Sequence, residues 1–126
     1  MRALSFRQPW AELILLGQKT IEVRFQRTNI RERIYIYAGR NRIETEEEAR
    51  IAAKFSIDVD DLPRGVLVGK VEIVGCRPLE KRDSKSACFK IDHADGLFAW
   101  LLERSERAVN LQTPKKHPQP VFFNPF

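Results

Sequence analysis

Apolar positions in this chain come in short runs, and most of the runs alternate with polar residues. Ala3-Leu4-Ser5-Phe6 predicts a strand. Pro9 suits the first position of a helix, where its missing N–H has no partner to lose, and Trp10 to Leu16 is almost wholly apolar. A short buried helix is therefore expected over Pro9–Leu16, ended by Gly17 in a left-handed conformation. Thr20 to Arg24 predicts a second strand. Side chains alternate across a strand, so Ile21 and Val23 face one way while Thr20, Glu22 and Arg24 face the other.

Phe25 to Arg31 is polar and basic, a loop. Arg33 to Ala38 is β-branched and aromatic, a strand ended by Gly39. Thr45 followed by Glu48 has the spacing of a capping box, which predicts a helix from about Glu46 to Phe55 with Ala49, Ala52, Ala53 and Phe55 facing inward. Asp58 to Arg64 reads as a loop, Val66 to Cys76 as a long central strand, and the charged stretch Pro78 to Lys90 as a surface excursion. Leu97 to Arg104 fits two periods. Phe98, Trp100 and Leu102 alternate as in a strand, whereas Leu97, Trp100, Leu101 and Arg104 share a helical face. Gly96 and the strands around it favour the strand. Four prolines exclude a continuous helix from Pro114 to Phe126, leaving Val121-Phe122-Phe123 as an edge strand. At least five strands and two helices in so short a chain predict an α+β domain whose sheet curls on itself into a small barrel.

At 126 residues the chain is sized for one domain, 1–126, with a core that needs no staples. The 22 Lys and Arg against 17 Asp and Glu give a formal charge of +5, which suits contact with polyanions and suits a solvated surface equally. Cys76 and Cys88 lack CxxC spacing, and His93 and His117 are isolated, so no metal site is expected and no cofactor is implied. No secretory signal is read at the N-terminus and no apolar run approaches the ~20 residues of a membrane span, so a cytoplasmic location without membrane association is expected.

The densest polar constellation is Lys19, Glu22 and Arg24. Lys19 is a point charge suited to a phosphate or carbonyl oxygen, Glu22 accepts hydrogen bonds from amino or hydroxyl groups, and Arg24 can fork onto a phosphate or onto Glu22. The same spacing also describes a surface salt-bridge cluster of little consequence. Glu72, amid the β-branched residues of the central strand, faces either solvent or a polar cleft, and strand alternation leads us to expect it beside Lys19, Glu22 and Arg24 on one concave surface. Trp10 is either a core residue or a platform for a stacked base. No nucleophile elbow or phosphate-cradling glycine loop is present.

Leu4-Ser5-Phe6-Arg7-Gln8-Pro9-Trp10-Ala11, followed by Leu16-Gly17-Gln18-Lys19-Thr20-Ile21-Glu22-Val23-Arg24, resembles the signature of the ASCH domain family of the PUA-like superfamily. Arg64 to Glu72 resembles its central strand and Phe98 to Leu102 a later one, while Lys81 to Asp95 has no counterpart. The resemblance implies a small PUA-like β-barrel of about five or six strands with two or so helices. It also implies a cleft lined by Lys19, Glu22, Arg24 and Glu72, with Trp10 a further candidate ligand contact, and RNA or a nucleotide-like molecule as partner. One enzymatic branch of that family, amidohydrolases of N4-acetylcytidine, uses a Lys, a Thr and a Glu. Lys19 and Glu72 match two of these, but the Thr position is Glu22. Without the hydroxyl no covalent ester can form, and the Glu22 charge is expected to keep Lys19 protonated and a poor base. The ordering that results is a binding module first, then a hydrolase of a modified nucleoside or a ribonuclease using Lys19, Glu22 and Glu72, then an interaction domain without ligand.

Overall fold

The structure is a computed structural model and describes residues 1–126. Its elements are β1 (Ala3–Phe6), α1 (Trp10–Leu15), β2 (Ile21–Arg24), β3 (Arg33–Ala38), α2 (Thr45–Phe55), β4 (Val66–Pro78), α3 (Ser84–Ala87), β5 (Phe98–Gln112) and β6 (Phe122–Phe123). The strands form one six-stranded sheet in the order β2-β5-β4-β3-β1-β6. All neighbours are antiparallel except β1 and β3, which run parallel with Phe6 opposite Ala38. The sheet curls into a half-barrel. Arg24 on the outer strand β2 donates a hydrogen bond to the Ser5 carbonyl on β1 at 2.7 Å, although β5, β4 and β3 lie between those strands in the order.

Inside the curl, Leu4, Ile34, Ile36, Val68, Val71, Ile73, Trp100 and Leu102 pack with Ala11 and Ile14 of α1. Each large apolar side chain buried there stabilises the fold by about 1.5–3 kcal/mol. Trp100 stacks on Phe122, with ring centroids 5.7 Å apart, and satisfies its indole N–H on the Gln26 carbonyl. The Gln8 side chain is fully buried at the entry to α1, where its Oε1 accepts the Glu12 N–H and its Nε2 donates to the Pro63 carbonyl. At its other end α1 lies against Gly69 of β4, which β5 also approaches so closely that only glycine fits there. A Cβ there would stand 2.6 Å from Leu15 Cδ2 and collide with the Glu106 carbonyl oxygen. Arg107 of β5 forks onto Glu12 of α1 with two 2.9 Å hydrogen bonds.

Three local expectations are corrected. The Thr45–Glu48 capping box does not form. Glu44 caps α2 through both carboxylate oxygens, accepting the Glu46 and Glu47 N–H groups, and Glu48 turns inward to Arg42. The inner face of α2 is accordingly Glu48, Ile51 and the expected Phe55, with Ala52 half-buried and Ala49 and Ala53 exposed. The segment from Pro78 to Lys90 is no surface excursion either. A 3-10 turn at Lys81–Asp83 leads into α3, and Leu79, Ala87 and Ile91 bury themselves against Ile21 and Ala99 on the outer face of the β2–β5 pair. Asp83, which the Arg77 guanidinium holds below the usual carboxylate range, anchors this segment through two 2.8 Å hydrogen bonds. The ambiguous Leu97 region is strand, and it runs on to Gln112 with bulges. At one of them Arg104 adopts φ +55°.

Candidate functional site

The turn after α1 places Lys19. Gly17, with φ +78°, reverses the chain, and the Gln18 and Lys19 N–H groups both donate to the Leu13 carbonyl at 3.0 Å. Thr20 N–H then bonds the Ser86 carbonyl, tying the start of β2 to α3. Ile21 opposes Leu101 and Val23 opposes Ala99, and these four belong to the apolar cluster outside the sheet. Glu22 opposes Trp100 and Arg24 opposes Phe98, so the charged pair points into the curl.

Lys19 is only 2% exposed. Its Nζ donates to the Ala87 carbonyl at 2.7 Å, stands 3.9 Å from Glu22 Oε1, and lies 4.8 Å from the Trp10 ring centroid and 5.5 Å from that of Phe89. Burial pulls its pKa below the ordinary lysine value, and the Glu22 carboxylate opposes this without overcoming it. Glu22 does raise the proton affinity of Lys19, as expected, but desolvation is the larger effect and the net shift is downward. Arg24 pairs with the other Glu22 oxygen at 2.8 Å and lies over the Phe6 and Trp100 rings. The result is a Lys19–Glu22–Arg24 row on an aromatic floor.

These residues border a cavity of about 1210 Å³ at the open side of the half-barrel. Trp10, Phe89 and Phe25 line it, as does the whole segment from Thr113 to Pro120. That segment crosses the mouth as a strap. It is held by the Ser5 hydroxyl donating to the Gln119 carbonyl, and by the Lys115 and Lys116 N–H groups on the Pro125 carbonyl. Trp10 sits at the edge of the cavity, partly exposed, its ring centroid 5.8 Å from that of Phe89. Phe25 is 84% exposed, an apolar ring with no packing role to explain it.

Glu72 does not reach this cavity. It lies opposite Arg33 and Glu103 on the central strand, where Arg104 donates it a 3.0 Å hydrogen bond, makes a 2.8 Å ion-pair contact with its other oxygen and holds its carboxyl below the usual range. Convergence of all four charged residues on one concave surface is therefore corrected to convergence of three. Sequence reasoning missed Phe89, the Ala87 carbonyl and the strap, all contributed by segments with no strand or helix pattern to mark them. No group of three or more His, Cys, Asp or Glu is placed to hold a metal ion. No helix is long and apolar enough to cross a membrane.

The family model of the ASCH domain matches residues 4–118. The chain belongs to the ASCH domain family. Activating signal cointegrator 1 of Mus musculus is 35% identical over 80 residues, and its Homo sapiens counterpart is 34% identical over 80. These alignments cover 58% of this chain but only 14% of either relative, so the ASCH chain described here matches a small part of much longer proteins. Among solved structures, the ASCH protein from Zymomonas mobilis superposes with a TM-score of 0.67 at 17% identity, covering 97% of this chain and 85% of the other. A tyrosine-to-phenylalanine mutant of that protein superposes at 0.61 with 12% identity, covering 97% and 87%. At such identities the likeness establishes the shared ASCH fold.

Proposed function

We propose that this ASCH domain is an RNA- or nucleotide-binding module whose ligand enters the cavity beside Trp10, Lys19, Glu22 and Arg24. The ASCH domain is a PUA-like fold associated with RNA binding. The observation that carries the proposal is the aromatic pair Trp10 and Phe89 flanking a buried lysine and a carboxylate in an open cavity. Aromatic faces stack on any base, and an adjacent fixed donor and acceptor distinguish one base edge from another. The two free thiols, Cys76 and Cys88, fit a reducing cytosol as the place of action.

The test is binding of short single-stranded RNA at two salt concentrations. Affinity falls as salt rises, since phosphate contacts release counterions. Trp10→Ala and Lys19→Ala weaken it while the domain stays folded. Absence of binding at low salt, or binding indifferent to both substitutions, overturns the proposal.

A second reading, hydrolysis of an acetylated nucleoside, is favoured by one observation. A buried lysine with lowered proton affinity is a better base than an exposed one. Against it, Glu22 stands where a nucleophilic hydroxyl is needed and Glu72 is bound to Arg104 away from the cavity. The expected outcome is little or no deacetylation of N4-acetylcytidine. Robust turnover lost in Lys19→Ala would reverse the ranking.

A further inference from the structure

Most arginines of this chain are neutralised by a carboxylate within its own fold. Arg7, Arg27, Arg31 and Arg40 are not. Arg31 spends its guanidinium on the Thr28 and Ile30 carbonyls, and Arg27 lies over the Phe98 ring. Arg7 and Arg40 have neither kind of partner, and both line the cavity. They are brought together by the one parallel pair in the sheet. Phe6 of β1 is opposite Ala38 of β3, Gly39 N–H donates to the Phe6 carbonyl at 2.7 Å, and an arginine follows each strand end. The Arg40 guanidinium lies against Gly65, whose φ is +75°. A Cβ there would stand 2.7 Å from Arg40 Cζ, so the glycine leaves the space that the guanidinium fills.

The strap lines the same cavity and adds Lys115 and Lys116, again without a carboxylate partner. Only two carboxylates line the cavity, and both are engaged elsewhere, Glu22 by Arg24 and Lys19, and Glu47 by Arg50. Four cations thus border one space with nothing of opposite sign to balance them. Such an unbalanced positive lining attracts a multiply charged anion, and planar guanidinium forks match phosphate oxygens.

We propose that Arg7, Arg40, Lys115 and Lys116 form a phosphate subsite of the cavity, distinct from the Trp10–Lys19–Glu22–Arg24 floor, so that a nucleotide binds with its base on the floor and its phosphate at the strap. The orientation rests on the reading of the cavity as a nucleotide site; the anion subsite itself does not. Arg7, Arg40, Lys115 and Lys116 are exposed, and none of their side chains makes a hydrogen bond or ion pair within the fold, so their removal is expected to leave the domain folded.

The experiment titrates the wild type, Arg7→Ala/Arg40→Ala and Lys115→Ala/Lys116→Ala with three probes: inorganic pyrophosphate, the four ribonucleosides, and the four nucleoside 5′-monophosphates. Thermal melting confirms that each variant is folded. The subsite predicts that the monophosphate of the preferred base binds the wild type roughly tenfold or more tighter than its nucleoside, the gain expected of charge-assisted hydrogen bonds. Both double variants bring that ratio close to one and leave nucleoside affinity unchanged. Nucleoside binding with a ratio near one in the wild type, or with an undiminished ratio in both variants, overturns the subsite and leaves the nucleotide reading standing. Pyrophosphate binding that both variants abolish, with no nucleoside or nucleotide bound, supports the subsite and overturns the reading of the floor. Failure of all three probes to bind overturns both.

Discussion

Arg24 Nη2 donates to the Ser5 carbonyl oxygen over 2.7 Å and so joins the first and fifth strands of the order β2-β5-β4-β3-β1. The same guanidinium holds Glu22 at 2.8 Å. One side chain therefore both closes the half-barrel and fixes the acceptor in the cavity. Arg24→Ala should lower stability by about 2 kcal/mol, the usual cost of removing a hydrogen bond from a charged donor and leaving its acceptors unpaired. Arg24→Lys should recover only part of this, because an ammonium cannot keep the planar fork that meets Ser5 and Glu22 together. Urea unfolding of the two variants measures both effects. Equal stability of wild type and Arg24→Ala would show that β2 is held in the curl by its apolar outer face alone.

Glu22 and Glu72 have equal standing in the sequence and unequal standing in the fold. Glu22 is partly buried between Lys19 and Arg24, whereas Glu72 is paired with Arg104 at the surface of the central strand. Ligand affinity should therefore fall in Glu22→Gln and stay unchanged in Glu72→Gln. A fluorescence titration with RNA on the two variants decides it. Loss of binding in Glu72→Gln would mean that the site extends over the β4–β5 face.

That contrast marks what alternation along a strand does and does not convey. It assigns each side chain to one of two faces, and it places Ile21 opposite Glu22 correctly. It cannot see a bulge, which resets the alternation. The register shifts between Ile73 and Gly75, and Glu72 ends up between Val71 and Ile73, which pack inside the curl, so its carboxylate faces out while Glu22, opposite Trp100, faces in. The Gly17 turn and the strands β1 to β4 were legible because each carries a local physical cause, a glycine where φ is positive or a short run of apolar and β-branched residues. The burial of Ala87 and Ile91, the meeting of Phe89 with Trp10, and the passage of 113–120 over the cavity have no local cause. They follow from an apolar outer face on the β2–β5 pair and from an edge strand, β6, that returns the chain to β1. The Thr45–Glu48 pattern misled for a related reason: Glu44 lay one residue earlier, and Arg42 offered Glu48 a better partner than a backbone N–H.

Gly69 permits α1 to seat against the β4–β5 pair. In Gly69→Ala the new methyl meets the Glu106 carbonyl, which is backbone and cannot swing aside, as well as Leu15. Overpacking of this kind typically costs about 1–3 kcal/mol. Because α1 leads directly into the turn that places Lys19, the shift should also reach the cavity, so Gly69→Ala should bind RNA more weakly while keeping a native-like far-ultraviolet spectrum. A variant as stable as the wild type would mean that the β5 backbone at Glu106 and the Leu15 side chain both give way at no cost. Leu15→Ala is then the control, because it relieves the side-chain half of the clash and leaves the carbonyl half.

Lys19 gives the fold a pH dependence whose sign follows from its burial. Its folded pKa lies below the 10.5 of an unfolded lysine, so between those two values the unfolded chain binds more protons than the folded one. Stability then rises with pH across that window, because the cost of keeping a charged ammonium between Trp10, Phe89 and the Ala87 carbonyl disappears as the group loses its proton. Cys88 acts in the opposite sense. Burial pushes its thiol above the ordinary 9.0, so its contribution is full below that pH and is lost as pH rises through the folded value. The two groups are neighbours, and the Cys88 Sγ–H donates to the Gln18 carbonyl next to Lys19. Separating them requires a Cys88→Ala background, in which Lys19 is compared with Lys19→Met, a side chain of similar length and no charge. At neutral pH the Met variant should be the more stable of the two. As pH approaches 10.5 the urea midpoint of the lysine protein should climb toward that of the Met variant. A midpoint difference that stays constant from about pH 7 to the ordinary lysine pKa would show that Lys19 carries the same charge in both states throughout, and that Glu22 and the two aromatic rings offset its burial in full.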